Sequence, residues 1–282
     1  MKKEPWIVQN AMRLLTGAAL ILFLWAVLFC APLWTFTLVT TAFIAGGLNE
    51  FFFMVGRKGI PVERLIGLTV GILIPLSIFW TFEPTKGWEL FFMTAVFILL
   101  FVFQLRRKDS SEAISGIAVT LFGIFYISWC FSFIIKLRLT GAPNLPDGRW
   151  LVAFLLLVTK GGDIGAYIIG SLFGRRTLIK RISPGKTWEG TLGGLAVSCL
   201  AALSLKPVFS AVPVSRLLIL GVLLGGLGQL GDLSESIIKR DCQVKDSGRA
   251  FPGMGGVLDS IDSLLFTSPI CYFFVRKFLT GA

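Results

Sequence analysis

The chain has 282 residues, 55% of them hydrophobic and 15% charged, with a net charge of +11 and no histidine. Its mean hydropathy is +0.80, well outside the range of water-soluble domains, which carry about 25% charged residues. These values exclude an ordinary soluble fold, and the missing histidine excludes imidazole catalysis and imidazole metal ligation.

Apolar runs long enough to span a bilayer, roughly 20 residues each, recur along most of the chain. An all-α polytopic membrane protein is therefore expected. The first run follows MKKEPWIVQNAMR, lacks a small-x-small cleavage site and is soon followed by a second, so it reads as a retained helix rather than a signal peptide. About nine transmembrane helices are predicted, near residues 12 to 31, 35 to 55, 65 to 82, 88 to 105, 113 to 135, 150 to 170, 190 to 205, 213 to 231 and 258 to 279. With the N-terminus cytoplasmic, the inner side receives Lys2, Lys3, Arg13, Arg57, Lys58, Arg64, Arg106, Arg107, Lys108, Arg175, Arg176, Lys180, Arg181, Lys186, Lys239, Arg240, Lys245 and Arg249. That bias follows the positive-inside rule. Lys136, Arg138, Arg149, Arg276 and Lys277 fall on the outer side and run against it.

Cys30, Cys130, Cys199, Cys242 and Cys271 are scattered without a CxxC pair, which argues against a disulfide framework or a zinc site. No repeat, linker or charged tail marks a soluble domain. Residues 1–145 form N-terminal helices rich in Phe, Leu and Trp, with a polar exception at Asn49-Glu50. Glu50 reads either as a functional carboxylate or as a helix-end residue reaching the headgroups or a neighbouring base. Residues 146–282 carry more glycine and more polar residues within spans, and function is expected there.

Three segments of that half converge on the cytoplasmic face. In TKGGDIGAYIIGSLFGRR, Asp163 lies about 10 Å from the inner end of its span at 1.5 Å per residue. A carboxylate at that depth is costly and marks function unless Lys160, three residues earlier, simply pairs with it. The loop LIKRISPGKTWEG offers Lys180, Arg181, Lys186, Ser183 and Thr187 around a Pro-Gly turn. It suits phosphate oxygens, or serves as a basic anchor. It is not a Walker loop.

In the third segment a span ends at Asp232, a polar link carries Glu235, Ser236, Lys239, Arg240, Lys245, Asp246 and Arg249, and the last span starts near Val257. Asp232 and Asp259 then lie at the inner ends of consecutive antiparallel helices and need a cation nearby. Mg²⁺ fits, because it takes carboxylates together with substrate phosphates. Asp259 and Asp262 share a helix face near an N-terminus, where capping alone would also favour them.

At these residues the chain resembles the phosphatidate cytidylyltransferase (CDP-diacylglycerol synthase) family. The resemblance is carried by Ser236, Ile238, Lys239, Arg240, Lys245, Asp246, Gly248, Phe251, Pro252, Gly253, Gly255, Gly256, Asp259 and Asp262. It extends over Asp163, Gly165, Ala166, Tyr167, Gly170, Phe173 and Gly174, over Ser183, Pro184, Lys186, Thr187, Glu189 and Gly190, and over Gly231, Asp232, Leu233 and Glu235. Two positions depart: Met254 stands where the family has His and Ser260 where it has Arg.

The resemblance implies that CTP and phosphatidate give CDP-diacylglycerol and pyrophosphate at the bacterial inner membrane. It implies catalytic roles for Asp232, Asp259, Lys239, Lys245 and Asp246, and substrate or phosphate contacts for Asp163, Ser183, Lys186, Thr187, Ser236, Arg240 and Asp262. It also implies Mg²⁺ on Asp232 and Asp259, alongside a monovalent cation such as K⁺. The bilayer and a second copy of the chain are the expected partners, with no DNA or RNA. Two other enzymes stand as alternatives, a CTP-dependent polyprenol or lipid kinase and an ether-lipid cytidylyltransferase. An ion-coupled transporter using Asp163 is the alternative from another class.

Overall fold

The computed structural model describes residues 6–81, 88–106, 112–143 and 145–279. Lys2, Lys3, Arg107 and Lys108, four of the bases assigned to the inner side, lie outside them. The described residues are overwhelmingly helical: α1 (Trp6–Phe29), α2 (Leu33–Arg57), α3 (Arg64–Phe79), α4 (Trp88–Gln104), α5 (Ala113–Gly123), α6 (Cys130–Leu139), α7 (Gly148–Phe173), α8 (Trp188–Ser204), α9 (Val214–Asp241) and α10 (Val257–Phe274). A π-helical turn at Ile124–Trp129 joins α5 to α6 without a break. Each stretch predicted to span falls on a helix. Among the described residues, five helical stretches are long and apolar enough to cross a membrane: Leu33–Arg57, Ala113–Leu139, Gly148–Phe173, Val214–Asp241 and Val257–Leu279. The protein is thus an all-α membrane protein, and apolar side chains such as Leu192, Tyr167 and Leu172 stand exposed on its helices, as a lipid-facing surface requires.

The chain separates into two compact units, Met1–Ile135 with Asp246–Leu258, and Lys136–Lys245 with Asp259–Ala282. In the first, Ile66, Val70 and Ile74 of α3 meet Val96 and Leu100 of α4 and Ile117 of α5 in a buried core. Two polar ties cross it: Ser128 Oγ donates to Gly71 O at 2.7 Å, and the Glu63 N–H donates to Thr120 Oγ1 at 3.1 Å. In the second, Leu151, Val152, Leu155 and Val158 of α7 and Leu217, Leu220 and Leu224 of α9 are buried. Ser198 of α8 ties its hydroxyl to Val158 O at 3.0 Å. None of the five cysteines is joined in a disulfide.

Two local structures differ from the expectation. The loop at 178–190 is a hairpin, with β1 (Thr177–Ile179) antiparallel to β2 (Ser183–Thr187). The chain reverses at Lys180–Ile182, so Pro184-Gly185 lies in the returning strand instead of forming the turn. Its base is closed by Glu189, which accepts from the Arg175 and Arg176 N–H groups at 3.1 and 3.2 Å. Those backbone bonds, that of Arg175 first, hold the Glu189 carboxyl below its usual range. Thr187 then caps α8 by accepting from the Gly190 N–H at 3.1 Å.

The second difference is larger. No polar link begins at Asp232; α9 runs on to Asp241 and is 28 residues long. The stretch DLSESIIKRD contains neither Gly nor Pro, and Glu235 and Lys239 pair one turn apart. The helix stops where Gln243 adopts a left-handed φ of 57°.

Candidate active site

The site belongs to the second unit and is built where α7, α9 and α10 approach closely. At Gly231 a side chain is sterically forbidden, since a Cβ would lie 2.6 Å from Asp262 O and 3.1 Å from Ser263 Cα. At Gly228 the same atom would lie 3.1 Å from Thr159 and 3.9 Å from Asp163 Oδ1. These small residues let the backbones close until acids on three helices meet.

Asp232, Glu235 and Asp262 present carboxylate oxygens within 4.8 Å of one another. Asp232 and Glu235 are three apart on α9 and share a face. The Glu235 side chain is fully buried, and its Oε1 has no hydrogen-bond partner. A buried carboxylate oxygen without a partner costs several kcal/mol.

Three lysines surround these acids. Lys186 Nζ lies 2.7 Å from Asp232 Oδ2, and 3.5 Å from Gln229 O. Lys239 Nζ bridges Glu235 Oε2 at 2.6 Å and Asp259 Oδ1 at 2.5 Å. Lys160 Nζ donates to Asp163 Oδ2 at 3.3 Å and to Ser263 Oγ at 2.7 Å, and lies 3.7 Å from Asp262 Oδ1. Ser263 Oγ in turn donates to Asp163 Oδ2 at 2.8 Å. Asp163, Asp232, Glu235, Asp259 and Asp262 thus outnumber the three lysines by two.

The structure brings Asp163, Lys186, Asp232, Lys239, Asp259 and Asp262 of the expected residues into this network. It places Asp232 with Glu235 and Asp262, while Asp259 faces Lys239. Ser236 is buried on α9, and Thr187 serves as the α8 cap. Ser183 lies in β2. Arg240 reaches the hairpin, donating from Nε to Ile182 O at 3.3 Å, and its Nη1 donates to Val244 O at 3.3 Å. Lys245 and Asp246 are exposed at the boundary between the units. Glu235 and Lys160 are participants that the expected site left out. Glu235 was legible as the i+3 neighbour of Asp232, and Lys160 as the i−3 neighbour of Asp163.

Met254 sits in a tight turn of the first unit. Phe251 N–H donates to Gly255 O at 2.9 Å and Gly255 N–H donates back to Phe251 O at 3.1 Å. Gly253 and Gly255 take φ of 76° and 104°, which only glycine adopts without strain. The Met254 side chain is exposed at 39%, so the turn has room for another side chain there. Met254→His is expected to fold normally and to keep activity within about tenfold, ~1.4 kcal/mol. A much larger gain, measured as CTP turnover, would show that methionine had impaired the chemistry.

Helices long and apolar enough to cross a membrane carry a partly buried cluster of acids and lysines, the arrangement of a membrane-embedded enzyme. A sequence model of the Cytidylyltransferase family matches residues 11–278, and the chain belongs to that family. It is similar to the phosphatidate cytidylyltransferase of Bacillus subtilis (strain 168), 33% identical over 278 residues, covering 96% of this chain and 100% of the relative. It is also similar to the phosphatidate cytidylyltransferase of Synechocystis, 37% identical over 268 residues, covering 86% and 88%. A third relative, YnbB of Escherichia coli (strain K12), is 37% identical over 187 residues; the match covers 66% of this chain and 63% of YnbB.

Proposed function

We propose that the protein transfers CMP from CTP to phosphatidate, giving CDP-diacylglycerol and pyrophosphate for phospholipid synthesis. The observation that carries this reading is the Asp232–Glu235–Asp262 cluster flanked by Lys160, Lys186 and Lys239, in a chain of the cytidylyltransferase family.

A phosphate oxygen of phosphatidate attacks the α-phosphorus of CTP in line. The new P–O bond forms as the bond to the bridging oxygen breaks, and that electron pair leaves with pyrophosphate. A phosphate monoester is already anionic at neutral pH, so no imidazole base is needed, and positioning with charge neutralisation suffices. Lys186, Lys239, Arg240 and Lys245 supply cationic donors for phosphate oxygens. Ser183, Thr187 and Ser236 add hydroxyls, Asp163 holds Lys160 in place at 3.3 Å, and Asp246 adds a carboxylate beside Lys245 in the chain.

The donor set fits Mg²⁺: three carboxylates whose oxygens lie within 4.8 Å of one another, one of them, Glu235, with a buried oxygen that has no hydrogen-bond partner. Asp232, Glu235 and Asp262 would hold it, with Asp259 fixing Lys239 beside them and a monovalent cation such as K⁺ nearby. When bound, it neutralises phosphate charge at the reacting end of CTP.

In this reading residues 146–282 are the catalytic region of a protein that crosses the bacterial inner membrane nine times. The N-terminus and the active site are cytoplasmic, and the enzyme is a homodimer. The basic-residue bias supports the orientation.

The test uses purified protein, CTP labelled at the α-phosphate, phosphatidate and Mg²⁺. Label should enter the lipid with equimolar pyrophosphate release, and chelation by EDTA should stop both. Release of CDP with phosphorylation of a lipid would overturn the reading in favour of a kinase.

A further inference from the structure

Glu50 lies within α2, a candidate membrane span, yet its partners are some 200 residues away in sequence. Its carboxylate accepts from Ser247 Oγ at 3.0 Å, from the Val257 N–H at 3.0 Å and from the Leu258 N–H at 2.9 Å. All belong to the first unit. The first N–H groups of a helix have no intrahelical acceptor and are usually satisfied by a capping side chain. Here Gly256, which has no side chain, precedes α10, and Glu50 supplies the acceptor from another helix. Charge-assisted bonds of this kind are roughly twice as strong as neutral ones, and negative charge is favoured at a helix N-terminus.

The surroundings are shaped to admit this carboxylate. A Cβ on Gly248 or on Gly256 would fall on the Glu50 carboxyl group. Farther along the same face of α2, at i−4 and i−7, Gly46 would place a Cβ 3.0 Å from Val257, and Phe43 stacks on Phe251 at 6.1 Å. Phe43, Gly46 and Glu50 therefore form one helical stripe that seats the segment from Ser247 to Leu258. Asp259 is the next residue of the chain.

We propose that Glu50 is a positioning residue: its carboxylate clamps Ser247 and the start of α10, and so sets the first turn from which Asp259 emerges. The proposal rests on the reading of Asp259 as part of the transfer site. It gives a membrane-embedded glutamate a role that needs no contact with substrate, and it explains Gly248 and Gly256 as clearance for the clamp.

A carboxylate is required because two acceptor oxygens serve three donors. Glutamine keeps one acceptor and turns an NH₂ towards the remaining donors. Aspartate keeps both oxygens on a shorter stem.

The test compares the full-length protein with Glu50→Gln, Glu50→Asp and Gly256→Ala in detergent, reading kcat, KM for CTP, and amide hydrogen exchange. Glu50→Gln should lower kcat by about tenfold or more with KM for CTP nearly unchanged. Exchange should quicken in residues 247–258 and stay unchanged in α7 and α9. Glu50→Asp should recover part of kcat. Gly256→Ala should reproduce the loss, and its combination with Glu50→Gln should be no worse than the poorer single variant, as expected for one shared interaction.

Unchanged kcat and exchange in Glu50→Gln would overturn the proposal. So would a fall in kcat without quicker exchange, because the glutamate would then touch the reacting groups. If the unsubstituted protein makes no CDP-lipid while segment 247–258 still loosens in Glu50→Gln, the reaction assignment fails and the clamp stands.

Discussion

Asp259→Asn is expected to abolish formation of CDP-lipid, a fall of at least about a thousandfold, ~4 kcal/mol in transition-state stabilisation. The substitution keeps the side chain's shape and removes one negative charge. Lys239, which holds Glu235 at 2.6 Å and Asp259 at 2.5 Å, then has one carboxylate partner in place of two. Its ammonium is drawn towards Glu235, away from the position where it meets a phosphate. Because Lys239 keeps an ion-pair partner, the fold should survive, which a thermal midpoint in detergent will show. Asp232→Asn should be as damaging, since it removes both a donor of the three-acid cluster and the partner of Lys186. Turnover at the unsubstituted level in either variant would sink the site assignment.

Lys239→Met should act on stability as strongly as on catalysis. It leaves Glu235, whose side chain is fully buried, and Asp259, whose side chain is 10% exposed, without the cation between them. Breaking such a buried pair from one side costs about 3–5 kcal/mol. In a chain of this size that lowers the thermal midpoint by roughly 2–4 °C per kcal/mol. Adding Glu235→Gln should return much of the lost stability and none of the activity. A Lys239→Met protein within about 1 kcal/mol of the original would mean that the pair is weaker than its burial implies.

The helices were legible because apolar length in lipid leaves few alternatives to an α-helix. Asp163, Asp232, Asp259 and Asp262 were legible for the complementary reason, as carboxylates inside or beside spans are too costly to be incidental. The extension of α9 is harder to read, because the polar residues after Asp232 resemble a link between spans. The absence of Gly and Pro from Leu233 to Arg240, with Glu235 and Lys239 one turn apart, carries the opposite signal. The hairpin at 177–187 has strands too short for an alternating pattern to emerge. Glu50 is different in kind. Nothing local in NEFFFM specifies a partner some 200 residues on, and only the folded chain brings the α10 N-terminus to it.

The length of α9 works as a ruler. Its 28 residues measure about 42 Å at 1.5 Å per residue, roughly 12 Å more than a hydrocarbon core of about 30 Å. From Val214 to Leu230 the helix carries a single charged residue, Arg216, whereas its remaining length holds Asp232, Glu235, Lys239, Arg240 and Asp241. The surplus of about two turns therefore falls on the acidic and basic end, which becomes a landing between two solvents. For the proposed reaction this is a stretch of a spanning helix where a nucleotide from water and a diacyl substrate with its chains in oil would meet.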